Sequence, residues 1–358
     1  MPSERPPSTS NGAIRGPAMT DVASLAGVSH QTVSRVINKH PNVTPTTRTR
    51  VLAAIEELGY HRNNAARALV TGRSQTLGVV TLNSTLYGPA STLYGIEQAA
   101  LESDYFVTVA SLRSTDRPAV RQAIARLVDQ GVEGVIVIAP VDSVVEALAD
   151  LPRDLRVVAV EGDADADIDV VTVDQHAGAQ SATEHLLSLG HSTVWHVAGP
   201  TDWLEARQRT AGWRSTLERA GAEVPPPLRG DWSPRSGFEA GRVLARMPEV
   251  SAVFVANDSM SVGVLRAFHE HGLNVPGDVS IVGFDDVPEA AYVSPPLTTV
   301  RQDFAEVARR SLALLLDQIS SGMRPAKRQV VGTTLVVRDS TRSVDGAPAR
   351  STRPKRMA

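Results

Sequence analysis

Apolar residues at Val22, Ala23, Leu25 and Ala26 stop at Gly27 and resume at Val33, Val36 and Ile37. The first group, with Asp21, predicts a short amphipathic helix, and Thr20 is placed to accept a hydrogen bond from its free N–H groups. Gly27 supplies the corner, because glycine takes positive φ without a steric penalty. Ser29 then caps a second helix, with Val33, Val36 and Ile37 inward and His30, Gln31, Ser34 and Arg35 outward. A third helix is expected from Thr44-Pro45, threonine as cap and proline in the first position, to Gly59. Its Val51, Leu52, Ile55 and Leu58 give it a face to cover the first two. Two short helices joined through a glycine turn, the second polar on its outer face, describe a helix-turn-helix that reads the DNA major groove.

Asn63-Asn64-Ala65-Ala66-Arg67-Ala68-Leu69-Val70 is a further helical stretch ended by Thr71-Gly72. It is too short to be stable alone in water, so it is expected to fold only when something holds it. From Gln75 the period changes. Strands are predicted at Leu77–Thr81, Phe106–Ala110, Val135–Ala139 and Val157–Val160, with helices at 90–102 and 118–130. A second series of strands follows at Val170–Val173, Thr193–Ala198, Ala252–Ala256 and Val279–Val282, with helices near 177–189, 205–220, 235–246 and 259–271. β-branched strands alternating with helices mean parallel sheets covered on both faces. Two such runs suggest two subdomains with a ligand cleft at the carboxyl ends of the strands. The division expected is therefore a disordered tail (1–18), a helix-turn-helix domain (19–62), a hinge helix and linker (63–74), a two-subdomain core (75–338) and a Ser/Thr/Arg/Pro-rich disordered tail (339–358).

Charge sharpens this division. Residues 1–75 carry nine Lys/Arg against four Asp/Glu, +5, which leaves −8 for the remainder of a chain whose total is −3. Only the basic head gains by displacing counterions from phosphate. The 42% hydrophobic and 21% charged content is that of a soluble globular protein. Without cysteine there are no disulfides, thiolate nucleophiles or cysteine-built metal sites. No apolar run approaches the ~20 residues of a membrane span, and the N-terminus lacks a signal-peptide core, so a cytoplasmic protein is expected.

Enzyme signatures are missing: there is no G-x-S-x-G, P-loop or H-E-x-x-H, and no nucleophile beside a plausible base. His269 and His271 are two apart and do not share a helical face. They are expected at an exposed helix end completed by Gly272. His185, His191 and His196 have no metal spacing. The expectation is a non-enzyme with no cofactor and no metal.

Separated stretches carry a family resemblance: A-G-V-S-H-Q-T-V-S-R-V-I-N from Ala26, N-N-A-A-R-A-L from Asn63, R-Q-R-T-A-G-W from Arg207, and G-D-W-S-P-R-S-G-F from Gly230. Further on come V-A-N-D-S-M-S-V-G from Val255, V-G-F-D-D from Val282, and S-P-P-L-T-T-V-R-Q-D-F from Ser294. In this order, from Met19 to Val337, the chain resembles the lactose/galactose repressor (LacI/GalR) family of bacterial transcription regulators. The resemblance implies an all-α helix-turn-helix head plus an α/β core like the periplasmic binding proteins, with two parallel-sheet subdomains. It also implies a homodimer on a palindromic double-stranded DNA operator, released by a small effector. DNA contacts carried over by position fall on Thr20, Ser29, His30, Gln31, Thr32, Ser34, Arg35, Asn38, Asn63, Ala66 and Leu69. Glutamine can pair bidentately with adenine and arginine with guanine. Leu69 falls where an apolar wedge enters the minor groove.

Effector contacts are expected from Leu86, Gly88, Pro89, Glu161, Val173, Arg209, Trp232, Asn257, Asp285, Gln302 and Phe304. Sugars want planar hydrogen-bonders for their hydroxyls, here Arg209, Asn257 and Asp285, and an aromatic plate, here Trp232. Asp258 and Asp286 read equally as helix caps. Glu161 stands where the family resemblance suggests a shorter aspartate, and Val173 where it suggests a large aromatic, which predicts a roomier pocket. A galactoside-like sugar or glycoside is the favoured effector. A purine, a phosphosugar or a protein co-effector is the alternative, and a solute-binding protein the more distant one. With no leucine heptad in the tail, a dimer is expected.

Overall fold

The computed structural model describes residues 17–38, 40–60, 72–82, 85–138, 141–149, 151–152, 154–162, 168–322 and 326–344. The chain divides into two compact units, Met1–Ser74 and Gln75–Ala358. Asn63, Ala66 and Leu69, and with them the expected hinge helix, lie outside the described residues.

The first unit holds α1 (Met19–Ala26), α2 (His30–Ile37) and α3 (Pro45–Leu58). Gly27 ends α1 at φ +60°, and the next N–H, of Val28, returns to the Ala23 carbonyl at 3.0 Å. This left-handed residue sets the turn between the two helices. The Ser29 hydroxyl accepts the Thr32 N–H at 3.2 Å, and Thr44 does the same for Thr47 at 3.3 Å. Val22, Ala26, Val33, Val36 and Val51 are the buried seam. Two expectations fail here. Thr20 is not the cap: α1 starts at Met19 with Ala18 in the cap position, two residues earlier, the Asp21 carboxylate accepts the Ala18 N–H at 2.7 Å, and Thr20 is exposed. Leu52 is 51% exposed; Ala54 faces the seam instead, because Val51, Ala54, Ile55 and Leu58 keep the three-to-four spacing and Leu52 leaves it.

The second unit builds two sheets. The first takes β1 (Thr76–Leu82), β2 (Phe106–Leu112), β3 (Val135–Ile138), β4 (Val157–Val160) and β5 (Asp169–Val173). Between them lie α4 (Tyr87–Glu102), α5 (Arg117–Asp129) and α6 (Asp142–Ala149). Then come α7 (Gln175–Ser188), β6 (Trp195–Ala198), α8 (Leu204–Arg219), β7 (Leu228–Arg229), α9 (Pro234–Leu244), β8 (Ala252–Val255), α10 (Asp258–Glu270), β9 (Ser280–Asp285) and β10 (Thr298–Gln302). The chain closes with α11 (Phe304–Ser321), β11 (Arg328–Val331) and β12 (Thr333–Val336). Sheet orders are β11-β5-β4-β3-β1-β2 and β12-β10-β9-β8-β6-β7. All neighbours are parallel except β12, which runs antiparallel to β10. Every residue of β3, β4 and β8 is buried, as strands covered on both faces require.

The chain passes between the sheets three times: after β5, after β10, and at Gly332 between β11 and β12. These crossings lie beside the strand ends that form the cleft. Disorder from Asp339 does not hold for residues 339–344. Ser340 is fully buried; its hydroxyl takes the Thr298 N–H at 2.8 Å and donates to the Ile281 carbonyl at 2.7 Å. The Val344 N–H adds a bond to Leu189 at 2.8 Å. Polar composition hid this segment, because it is held by hydrogen bonds and not by an apolar face.

Candidate effector cleft and DNA-reading helix

The eleven expected effector residues come together between the two sheets. Leu86, Gly88 and Pro89 open α4; Arg209 lies on α8; Trp232 and Asn257 precede α9 and α10; Asp285 and Gln302 end β9 and β10. All of these line one lobe of the cleft. Glu161, Val173 and Phe304 line the adjoining lobe, where Gly88, Pro89 and Gln302 recur. Space open to water is about 30 Å³ in the first lobe and about 10 Å³ in the second. A hexose cannot enter this closed form, so the walls must part to admit one. The room expected from Val173 is not there, because Ile138, Val160, Phe304 and Val307 close around it.

Four side chains form a ring. Arg209 Nε donates to Gln175 Oε1 at 2.8 Å, Gln175 Nε2 to Gln302 Oε1 at 2.9 Å, and Gln302 Nε2 to Asp285 Oδ1 at 2.7 Å. Arg209 Nη1 closes it, 3.6 Å from the same Asp285 oxygen, while donating to the Ala256 carbonyl at 2.5 Å. The guanidinium also lies 3.9 Å from the Phe284 ring centre and 5.5 Å from that of Trp232. Trp232 packs edge-on to Trp203 at 5.6 Å and against Gly199, where a Cβ would overlap the indole. Its Nε1–H is buried without an acceptor among the described residues. An unmade hydrogen bond of this kind is costly, and a ligand oxygen would relieve it.

Asn257 lines the cleft but is occupied otherwise. Its Oδ1 accepts the Met260 N–H at 2.8 Å, and its Nδ2 donates to the Trp232 carbonyl at 3.2 Å. It caps α10 and positions Trp232. Neither Asp258 nor Asp286 caps a helix. Asp258 takes the Thr299 hydroxyl at 2.7 Å and the Val287 N–H at 3.0 Å, tying α10 to β10. Asp286 is held by Arg301 and Arg338, each at 2.6 Å.

The cleft is rich in buried carboxyls. Glu161 is bound by the Thr172 hydroxyl, the Val173 N–H at 2.8 Å and the Gln175 amide at 3.5 Å. Burial, with the charge of Glu205 facing it, pushes its carboxyl up to about 7. Burial also raises Asp285 to about 7, against the pull of Arg209 and with a push from Glu205. Glu205 is raised by burial while Arg209 lowers it. Glu161, Trp232, Asp285 and Asp286 all have left-handed φ, between +55° and +114°. Backbone held in this region costs about 1–3 kcal/mol per residue and clusters at functional sites.

Sequence reasoning missed Tyr87, Trp203, Glu205 and Gln175. The Glu205–Arg209 spacing of four, on one helical face, was an available signal. Gln175 had none, since its role depends on the crossing after β5.

On the head, His30, Gln31, Arg35 and Asn38 are exposed along α2, and Thr32 and Ser34 are half-buried. Ser29 shares its hydroxyl with Thr32 at 2.9 Å, and Asn38 Nδ2 donates to Ser34 at 3.3 Å. Arg35 has no ion pair among the described residues, which leaves its guanidinium available to an external acceptor. His269 lies in the last turn of α10 and His271 caps its end, followed by Gly272 at φ +73°. No helix among the described residues is long and apolar enough to cross a membrane.

A helix-turn-helix head and a two-lobed α/β core enclosing a polar, aromatic cleft define a ligand-responsive DNA-binding regulator. The pattern described as bacterial regulatory proteins, lacI family, matches residues 18–63, and that of the periplasmic binding protein-like domain matches 183–341. The lactose operon repressor of Escherichia coli (strain K12) is 35% identical over 90% of this chain and 89% of its own. The crystal structure of the Lac repressor dimer bound to operator and the anti-inducer ONPF matches with a TM-score of 0.81 at 32% identity, over 92% of this chain and 100% of that one. The complex of the transcriptional regulator CelR with cellobiose matches with a TM-score of 0.68 at 33% identity, over 90% and 99% of the two chains. The chain belongs to the LacI family of bacterial regulatory proteins, a family of transcription regulators and not of enzymes.

Proposed function

We propose that this protein is a homodimeric repressor that holds a palindromic operator through α2 and is released by an uncharged sugar or glycoside bound in the cleft. His30, Gln31 and Arg35 are the base-reading residues of this account, supported by Ser29, Thr32, Ser34 and Asn38. Leu69, outside the described residues, is assigned the minor-groove wedge, with Asn63 and Ala66 beside it.

The observation that carries the effector reading is the Trp232 indole, its N–H unsatisfied, next to Arg209 and the carboxyls of Asp285, Glu205 and Glu161. An indole face takes the apolar side of a sugar ring, and the polar groups supply both donors and acceptors for vicinal hydroxyls. Three carboxyls against one guanidinium give no surplus positive charge to hold a phosphate, which argues against phosphosugars. The cellobiose bound by CelR supports adding β-glucosides to galactosides as candidates.

Trp203 and Trp232 make the test direct. Their fluorescence is titrated with galactosides, cellobiose and other β-glycosides, purines and sugar phosphates. Saturable quenching or enhancement by an uncharged glycoside alone supports the reading. A response confined to a purine or a phosphosugar overturns it.

A further inference from the structure

A second pocket lies on the outer side of α8, away from the cleft. Arg207, Ala211 and Arg214 are four and then three residues apart, so they share one face of that helix. Arg229 ends β7, the edge strand of the second sheet, and Thr201 comes from the loop before α8. Together with Thr210 they line an open depression of about 350 Å³, within the usual size range of small-molecule sites. Among the described residues no acidic side chain lines it. Arg214 and Arg229 are exposed and have no ion pair among the described residues.

Arg207 is engaged, and its partner is informative. Its Nη1 and Nη2 grip both oxygens of Asp142 at 2.7 and 2.6 Å. Asp142 opens α6 in the first-sheet subdomain, whereas Arg207 belongs to the second. The pair therefore ties the subdomains together, beside a short bridge between Val141 and Trp203. An oxyanion entering the pocket would meet two unpaired guanidiniums and compete with Asp142 for the third.

We propose that this pocket binds the phosphate-monoester group of a small metabolite, separately from the cleft, and that its occupancy draws Arg207 away from Asp142. Guanidinium forks match the tetrahedral oxyanion bidentately, which an isolated surface charge does not. The second subdomain supplies every lining residue, so the site exists whether the cleft is open or closed.

Calorimetric titration with glycerol phosphate and with inorganic phosphate, at ionic strength held constant with chloride, is the test. Saturable binding of the ester is expected. It should weaken by roughly ten-fold or more in the double variant Arg214→Gln/Arg229→Gln, which removes two charge-assisted partners. Asp142→Asn, which replaces the carboxylate gripping Arg207 with a neutral amide, should bind about two- to five-fold tighter, the scale of an exposed ion pair. All three side chains are exposed, and unchanged melting temperatures would show that the variants remain folded. The proposal is overturned by the lack of saturable binding, by an ester affinity equal in the double variant, by no gain in Asp142→Asn, or by inorganic phosphate binding where the ester does not.

Discussion

Gln175 turns separate polar side chains into one device. Its amide receives Arg209 from the second subdomain, gives to Gln302 at a crossing, and reaches Glu161 on the first subdomain. A ligand that rearranges any one of these groups disturbs the others, because a buried network with a broken bond leaves costly unpaired partners. Arg209→Ala is expected to weaken effector binding by more than ~10-fold. Operator affinity should stay near that of the parent, measured by anisotropy without effector. Loss of the cation also leaves Asp285 buried without its partner, so the melting temperature should fall. Inducibility at parental effector concentrations would remove Arg209 from the cleft chemistry.

Asp258 offers a check that does not depend on ligand. Burial, reinforced by Asp285, pushes its carboxyl up to about 8. The folded state therefore holds a proton that the unfolded state releases near pH 4. Its contribution to stability is full below pH 4 and is lost progressively as pH rises to about 8. Asp258→Asn cannot ionise, so its stability relative to the parent should improve across that interval, read by urea titration at several pH values. A constant difference between the two proteins would place the Asp258 titration elsewhere.

Among elements, the close pair α9 and α10 depends on glycine. A Cβ at Gly263 would overlap the Pro234 carbonyl oxygen, one at Gly237 would overlap that of Met260, and one at Gly241 would come within 2.8 Å of Ala267. Backbone cannot yield as a flexible side chain can. Gly263→Ala should cost about 3 kcal/mol, at the upper end of overpacking, by urea denaturation. A cost near zero would mean that the helices separate freely.

Element by element, the fold was legible where burial imposes a period. The helix-turn-helix was written in Val33, Val36, Gly27 and Ser29, and eight of the core strands in β-branched runs. Four strands were not read: β7 has only two residues, β11 and β12 have four each and pair with strands far back in the chain, and β10 lay inside the polar motif from Ser294. α6 was missed because its eight residues sit between two strand signals. α11 was overlooked despite Val307, Ala308, Ser311, Leu312 and Leu315 at helical spacing, since its start at Phe304 merged with the preceding polar motif. In the cleft, residues at strand ends could be named in advance. Their partners could not, because the ring around Gln175 exists only after three crossings bring distant segments together.

For the whole molecule, charge and topology divide the labour. The first 75 residues are net basic, which favours the phosphate backbone of DNA, and the acidic remainder folds around the cleft. Because three connecting segments cross between the sheets, a change in cleft closure is a change in the relation of the two subdomains. An effector controls operator binding only to the extent that it prefers one such arrangement. The measurement that decides this is the anisotropy of labelled DNA from upstream of the protein's own gene, with and without an uncharged glycoside that binds the cleft. The account predicts tight, salt-sensitive binding that this glycoside reverses in the parent and fails to reverse in Arg209→Ala. Operator binding that such a cleft ligand leaves unchanged would contradict it.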